Sequence, residues 1–163
     1  MRVPESPLHG EKTVIRSATA LDAELLVEWH AYPDVARFWD DETFTQGEML
    51  ARLARPDVDP YIIEEGDEPI GYLQAWFEDV SPDKAGLDMF LVPEARGRGL
   101  GPDASSTLAR WLLGPGGMRS VTVDPYLSNE RAIRGWAKAG FMPIEERPAD
   151  DEKTGPWLLM VMT

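Results

Sequence analysis

The sequence predicts one α/β domain with a mixed sheet, spanning residues 1–163. Three observations carry that expectation. Helical and strand periodicities alternate along the chain, with no internal repeat, linker or low-complexity stretch. The length of 163 residues suits one hydrophobic core, because two would each sit near the lower limit for burying their own. A chain that is 43% hydrophobic and 28% charged is too apolar for a disordered tail.

Each element has its own signal. Glu11–Ser17 alternates around Val14 and Ile15 and reads as a strand. Thr19-Ala-Leu-Asp22 resembles a capping box with Asp in place of Glu, opening a helix with Leu25, Leu26 and Trp29 on one face. Pro33 interrupts it, and Asp34–Trp39 forms a short second helical turn. Thr45-Gln-Gly-Glu48 is a full capping box before Met49, Leu50 and Leu53, a helix that must end before Pro56. The period then changes. Residues 61–65, a Gly66-Asp67 turn and Ile70–Phe77 read as a β-hairpin, with Gly86–Val92 as a third strand. Leu100–Leu113 has helical spacing and stops at Gly114-Pro-Gly-Gly. Ser120–Val123 is a short buried strand, and Asn129–Ala139 a helix capped by Gly140. Phe141–Glu146 and Trp157–Met162 are closing strands joined by a polar segment, Arg147–Pro156. The resulting order is β-α-α-β-β-β-α-β-α-β-β, that of a single α/β domain.

Composition limits the function. With no cysteine, disulfides, thiolate nucleophiles and cysteine-ligated zinc are impossible. Two histidines, His9 and His30, make a poor metal site, so no metal is expected. No apolar run reaches the roughly 20 residues of a membrane helix, and the first residues lack the apolar core of a signal peptide, which points to the cytoplasm. A net charge of −13 argues against a nucleic-acid partner and for a cationic or neutral one. The charge is uneven: Glu94–Lys138 holds seven Lys/Arg against four acids, net +3, leaving −16 elsewhere. A basic segment in an acidic chain suggests two ligands of opposite charge.

The stretch that carries chemistry is Phe90-Leu-Val-Pro-Glu-Ala-Arg-Gly-Arg-Gly-Leu-Gly101, a strand feeding a Gly-rich loop and then a helix. Glycines allow close backbone approach, and the free N–H groups of a helix start form an anion site. The spacing is not the dinucleotide fingerprint, since Pro102 stands where a third Gly would be. No Gly-Lys-Ser/Thr follows, so it is not a P-loop.

Here the sequence resembles the GCN5-related N-acetyltransferases, which transfer acetyl from acetyl-coenzyme A to an amine. Their coenzyme A loop, Gln/Arg-x-x-Gly-x-Gly/Ala, is matched by Arg96-Gly-Arg-Gly99-Leu-Gly101. A second signature appears as Asn129-Glu-Arg-Ala132 … Trp136-Ala-Lys-Ala-Gly140-Phe141. The resemblance implies the family's mostly antiparallel sheet flanked by helices. It implies acetyl-coenzyme A as co-substrate, held by Phe90, Leu91 and Val92, by Arg96, Gly97, Arg98, Gly99, Leu100 and Gly101, and by Asn129, Ala132, Trp136 and Lys138. Three positions depart from the pattern. Pro102 removes an amide at the start of the helix, Asp103 brings a negative charge beside the expected pyrophosphate, and Trp136 replaces a tyrosine that in many members protonates the departing thiolate.

Within the family, the chain is most similar to the aminoglycoside 6′-N-acetyltransferases. The matching stretches include Leu26-Val-Glu-Trp-His30, Pro69-Ile-Gly-Tyr-Leu-Gln74, Gly86-Leu-Asp-Met-Phe-Leu91, Asp124-Pro-x-x-Ser-Asn-x-Arg-Ala-Ile-Arg134 and Gly155-Pro-Trp-Leu-Leu-Met160. The resemblance makes Asp88 a base or anchor for the amine and Asp124 a ligand for substrate ammonium groups, on neighbouring strands, with Trp29 and Trp39 lining the same pocket. Asp40, in the acidic run beside Trp39, is a further candidate contact, whereas Asp41 and Glu42 read as a solvated loop. Read from the residues alone, Trp29, Trp39 and Trp76 stay open between core and a stacking wall for sugar rings, while Trp111 and Trp157 read as core. A carboxylate near the attacking nitrogen helps position it and receive its proton. The partners implied are a small cationic amine and coenzyme A, with the protein a monomer or homodimer.

Three alternatives stand beside this one. Siderophore-type hydroxylysine N-acyltransferases share the pattern at Trp29, Pro33, Val35, Phe38 and Trp39, but tend to carry a histidine on the strand where this chain has Asp88. Ribosomal-protein amino-terminal acetyltransferases match less of the chain. A non-catalytic acyl-coenzyme A-binding module is compatible with Trp136.

Overall fold

In the computed structural model, which describes residues 3–39 and 42–163, the chain opens with two short strands, β1 (Leu8–His9) and β2 (Val14–Ser17). The first capping box forms as read: Asp22 Oδ2 accepts from Thr19 N at 2.8 Å, and Thr19 Oγ1 from Leu21 N at 3.3 Å. A 3-10 turn at Ala20–Asp22 leads into α1 (Ala23–His30). Pro33 is the first residue of α2 (Pro33–Phe38), where a missing N–H leaves no bond unmade. Thr45 and Glu48 complete the second box and open α3 (Gln46–Leu53). There follow β3 (Val58–Glu65), β4 (Glu68–Glu78), β5 (Ser81–Leu91), α4 (Leu100–Leu113), β6 (Ser120–Val123), α5 (Glu130–Ala139), β7 (Met142–Arg147) and β8 (Trp157–Met162). Among the described residues no helix is long and apolar enough to cross a membrane.

The eight strands form one sheet in the order β1-β2-β3-β4-β5-β6-β8-β7. Every neighbouring pair is antiparallel except β5–β6. Beyond shifts of up to three residues at element ends, three details differ from the sequence reading. A two-residue strand, β1, precedes the first predicted one, too short to carry periodicity. The helical turn after Pro33 is a helix of its own, so among the described residues three α-helices, not two, lie between β2 and β3. β5 starts at Ser81 rather than Gly86, because the ladder with β4 and β6 carries polar residues that no apolar run marks.

Alternation on β4 and β5 divides the core. Tyr72, Gln74 and Trp76 pair with Phe90, Asp88 and Gly86 on one face. There Tyr72 and Phe90 pack with Leu26, Trp29, Val35, Met49 and Ile62 from α1–α3 and β3. Leu73, Ala75, Leu87 and Leu91 take the other face, under Leu100, Ala104, Leu108 and Leu112 of α4 and Trp136 of α5.

One feature of the register creates the site. β5 and β6 pair only at Lys84–Gly86 with Ser120–Thr122, while β5 continues alongside β4 to Leu91. Beyond Gly86 the two strands part, and residues 87–91 have a partner on one side only. The gap is a cleft of about 750 Å³ between Leu87–Leu91 and Asp124–Glu130.

Candidate active site

At one end of the cleft, β5 runs through a 3-10 turn at Pro93–Ala95 into the glycine loop and α4. Gly97 and Gly99 have φ of 79° and 76°, a left-handed backbone that any other residue would strain to adopt. Gly99 is the residue preceding α4 and has no side chain to cap it; the first helical amides, which have no intrahelical acceptor, belong to residues that border the cleft. Gly101 serves packing, since a Cβ there would come within 2.7 Å of Met89 Cε. Pro102 is the third residue of the helix rather than its first and removes one of the free amides.

Two charged residues of this loop are held from outside it. Arg96 donates to Leu91 O at 3.3 Å and pairs with Asp34 of α2 at 2.8 Å, which ties the loop to the first helices. Arg98 turns its guanidinium to Glu65 at 2.7 Å, and its side chain does not line the cleft. Its carbonyl accepts from Lys12 Nζ at 3.1 Å. Asp103, expected to oppose a pyrophosphate, is occupied elsewhere. Its carboxylate accepts from the amides of Glu11, Lys12 and Thr13 and from Thr13 Oγ1, at 2.7–3.0 Å. Burial works against that charge, but these donors outweigh it and hold Asp103 below the usual carboxylate range.

The facing wall comes from α5 and the segment before it. Asn129 Oδ1 accepts from Ala132 N at 3.2 Å, so this side chain acts as the helix cap while also bordering the cleft. Ala132, Trp136 and Lys138 line the same wall. Trp136 is 8% exposed and packs edge-on against Phe141 at 5.4 Å. Phe90, Leu91 and Leu100 border the cleft from the sheet side, and Val92 packs behind it.

At the other end lie the two aspartates. Asp88 follows the point where β5 leaves β6, and Asp124 follows the last residue of β6. Asp88 Oδ2 accepts from Gln74 Nε2 at 3.1 Å, and Gln74 Oε1 accepts from the buried Tyr72 hydroxyl at 2.8 Å. This chain of bonds fixes the carboxylate along one face of the sheet. Burial, and then the charge of Asp124, push Asp88 up to about 6, with the Gln74 bond pulling the other way. A carboxylate so poised is an effective proton acceptor near neutral pH.

The tryptophans divide. Trp39 lines the cleft beside Phe90, with ring centroids 5.7 Å apart. Trp29 does not. It is 4% exposed and packs against Phe90 at 6.0 Å inside the core, where helix periodicity alone gave no means of separating it from a pocket wall. Trp76 is half-buried on the face of Asp88, and its indole covers Gly86 so closely that a Cβ would collide with it. It does not border the cleft. Asp40 and Asp41 lie outside the described residues.

Two residues at this end escaped the sequence reading. Lys153, in the polar segment between β7 and β8, pairs with Asp124 at 3.3 Å, and its Nζ lies 4.9 Å from the Tyr126 ring centre. Both line the cleft. Local spacing carries no signal for Lys153, because it meets Asp124 and Tyr126 only once β8 returns beside β6.

The profile of the acetyltransferase (GNAT) domain family matches residues 18–148. The aminoglycoside N(6′)-acetyltransferase type 1 of Klebsiella pneumoniae is 30% identical over 172 residues, covering 94% of this chain and 84% of that protein. Among solved structures, AAC(6′)-Ib with ribostamycin and coenzyme A superposes with a TM-score of 0.81 at 30% identity, covering 94% of each chain. The same enzyme with coenzyme A and kanamycin gives 0.79 at 30% identity, covering 93% of this chain and 94% of that one.

Proposed function

The chain belongs to the GNAT acetyltransferase family, and we propose that it transfers acetyl from acetyl-coenzyme A to a primary amine of a cationic small molecule, the 6′-amine of an aminoglycoside. One observation carries the reading: a half-buried carboxylate, Asp88, held by Gln74 on the strand that leads into the glycine loop. Similarity to aminoglycoside acetyltransferases solved with coenzyme A, kanamycin and ribostamycin supports the choice of both substrates.

The cleft suits coenzyme A on three counts. Its volume of about 750 Å³ is that of a sizeable ligand site. Gly97 and Gly99 leave the loop backbone bare, and the uncapped start of α4 offers amides and a positive dipole end to a pyrophosphate. Arg131, Arg134 and Lys138 supply positive charge along α5.

Acetyl-coenzyme A brings an activated thioester carbonyl. Asp88 orients the acceptor nitrogen and takes its proton as the N–C bond forms and the C–S bond breaks. Tyr72 and Gln74 keep the carboxylate aimed during that transfer. Trp136 holds the wall of the cleft and supplies no proton, since an indole N–H is not an acid near neutral pH. A thiol is a far stronger acid than an alcohol, with a pKa of about 8.5 in free cysteine, so the sulfur leaves as thiolate and is protonated by solvent. A reaction using this thioester belongs in the cytoplasm.

Thiol release from acetyl-coenzyme A tests the reading, with kanamycin, hydroxylysine and a basic amino-terminal peptide as acceptors. Release with kanamycin should stand well above that with the other two. Preference for hydroxylysine would move the chain to the siderophore-type enzymes, and no release with any acceptor would make it a binding module.

A further inference from the structure

The acceptor end of the cleft contains a cation of its own. Lys153 Nζ lies 3.3 Å from Asp124 Oδ1, and the two side chains are only 18% and 26% exposed. The lysine is presented by a fixed turn. Asp150 Oδ1 accepts from the amides of Glu152 and Lys153 at 2.9 and 2.7 Å, and Asp150 N donates to Lys153 O at 2.9 Å. Next along the chain, Thr154 N donates to the Tyr126 hydroxyl at 3.4 Å. The Tyr126 ring backs the ammonium at 4.9 Å, a cation–π arrangement. Lys153 is therefore placed as a substrate ammonium would be, against Asp124 and an aromatic face. Burial opposes its charge, but Asp124 and Asp88 outweigh it and raise its pKa, so it stays charged at neutral pH.

We infer that Lys153 is a specificity-determining residue of the acceptor site: its ammonium occupies Asp124, so an aminoglycoside gains less from each ammonium group beyond the reacting one than two unoccupied aspartates would give it, and the advantage of a polyammonium acceptor over a mono-amine is reduced. This rests on the acetyltransferase reading and narrows it. A polycationic aminoglycoside must displace Lys153 before it reaches Asp124, at the cost of a desolvated ion pair. An amine with neutral hydroxyl groups around one ammonium meets no such competition. The composition of the cleft, read without Lys153, hides this, because two aspartates alone look built for a polycation.

The test compares kanamycin with methyl 6-amino-6-deoxyglucoside, which carries a comparable reacting amine and one ammonium. In Lys153→Met the long stem remains and the charge is gone. The ratio of kcat/KM for kanamycin over the mono-amine should rise about tenfold or more, equivalent to about 1.4 kcal/mol, and Lys153→Arg should keep the wild-type ratio. Titration calorimetry reads the same preference as binding, without turnover. An unchanged preference in Lys153→Met, by rate or by binding, overturns the inference, as does failure of that variant to bind kanamycin. Absence of turnover with every amine, while the binding preference still shifts, would refute the catalytic reading and leave the role of Lys153 standing.

Discussion

Replacing Asp88 with Asn separates the chemistry of this carboxylate from its structural cost. The Asn oxygen can still accept from Gln74 Nε2, as Asp88 Oδ2 does at 3.1 Å, so the bonds to Gln74 and Tyr72 survive. Two effects of opposite sign follow. An amide accepts no proton near neutral pH, so kcat should fall by ~10²–10⁴, the typical worth of a positioned acid–base group, with coenzyme A affinity little changed. Stability should move the other way. Asp88 is raised from 3.8 to about 6 in the fold, chiefly by burial. The folded state then holds this proton more tightly than the unfolded one, so the ionised group costs stability above about pH 6 and progressively less toward pH 4. A gap of about two units corresponds to about 3 kcal/mol, which water in the open cleft reduces to about 1–2 kcal/mol. The variant should melt roughly 3–6 °C above wild type near pH 8, with the advantage shrinking as the pH falls toward 4. Thermal melts at the two pH values, with initial rates by thiol release, provide the assay. Wild-type kcat/KM should rise as the pH climbs through about 6, and the residual rate of the variant should lack that limb. Near wild-type turnover in the variant, or a lower melting temperature near pH 8, would refute the reasoning.

Gly99→Val forces a β-branched residue to a φ of 76°, at a cost of ~1–2 kcal/mol, and should lower coenzyme A affinity at least tenfold by calorimetry in a variant that still melts cooperatively; unchanged affinity would remove the loop from the binding site. His30 is 1% exposed, ringed by Trp39, Phe44, Tyr72 and Phe90, and lowered to about 4 by burial and then by Arg52. Its neutral form is the folded one, so its contribution is complete above the unfolded pKa of about 6.5 and declines by about 2 kcal/mol between pH 7 and 5. Urea midpoints should therefore fall less over that interval in His30→Leu than in wild type, and equal slopes would contradict the assignment.

What the sequence made legible was mostly local. Thr19–Asp22 and Thr45–Glu48 announced helix starts because a capping box is complete within four residues. Gly66 and Gly140 marked chain reversals because both adopt a left-handed backbone, with φ of 61° and 113°. The glycine loop and Asp88 stood out by contrast with an apolar strand. Other features depend on distant partners and left no local trace. Asp103 looked like a phosphate neighbour, yet its oxygens serve the turn at residues 11–13, about ninety positions away. Trp29 and Trp39 share one motif, yet one is core and the other borders the cleft, since only the packing of α1 and α2 on Phe90 separates them. Lys153 lay in a segment with no pattern, and it gained meaning when β8 brought it to Asp124.

Acetyl transfer to a defined amine is read most directly from the product itself. The protein, acetyl-coenzyme A and kanamycin are incubated together, and the product is examined by mass spectrometry and NMR. Kanamycin should carry one added acetyl group, located on the 6′ nitrogen, with one equivalent of free thiol released and far less product from Asp88→Asn. Kanamycin recovered unmodified, or acetylated at another position with Asp88→Asn equally active, would contradict it.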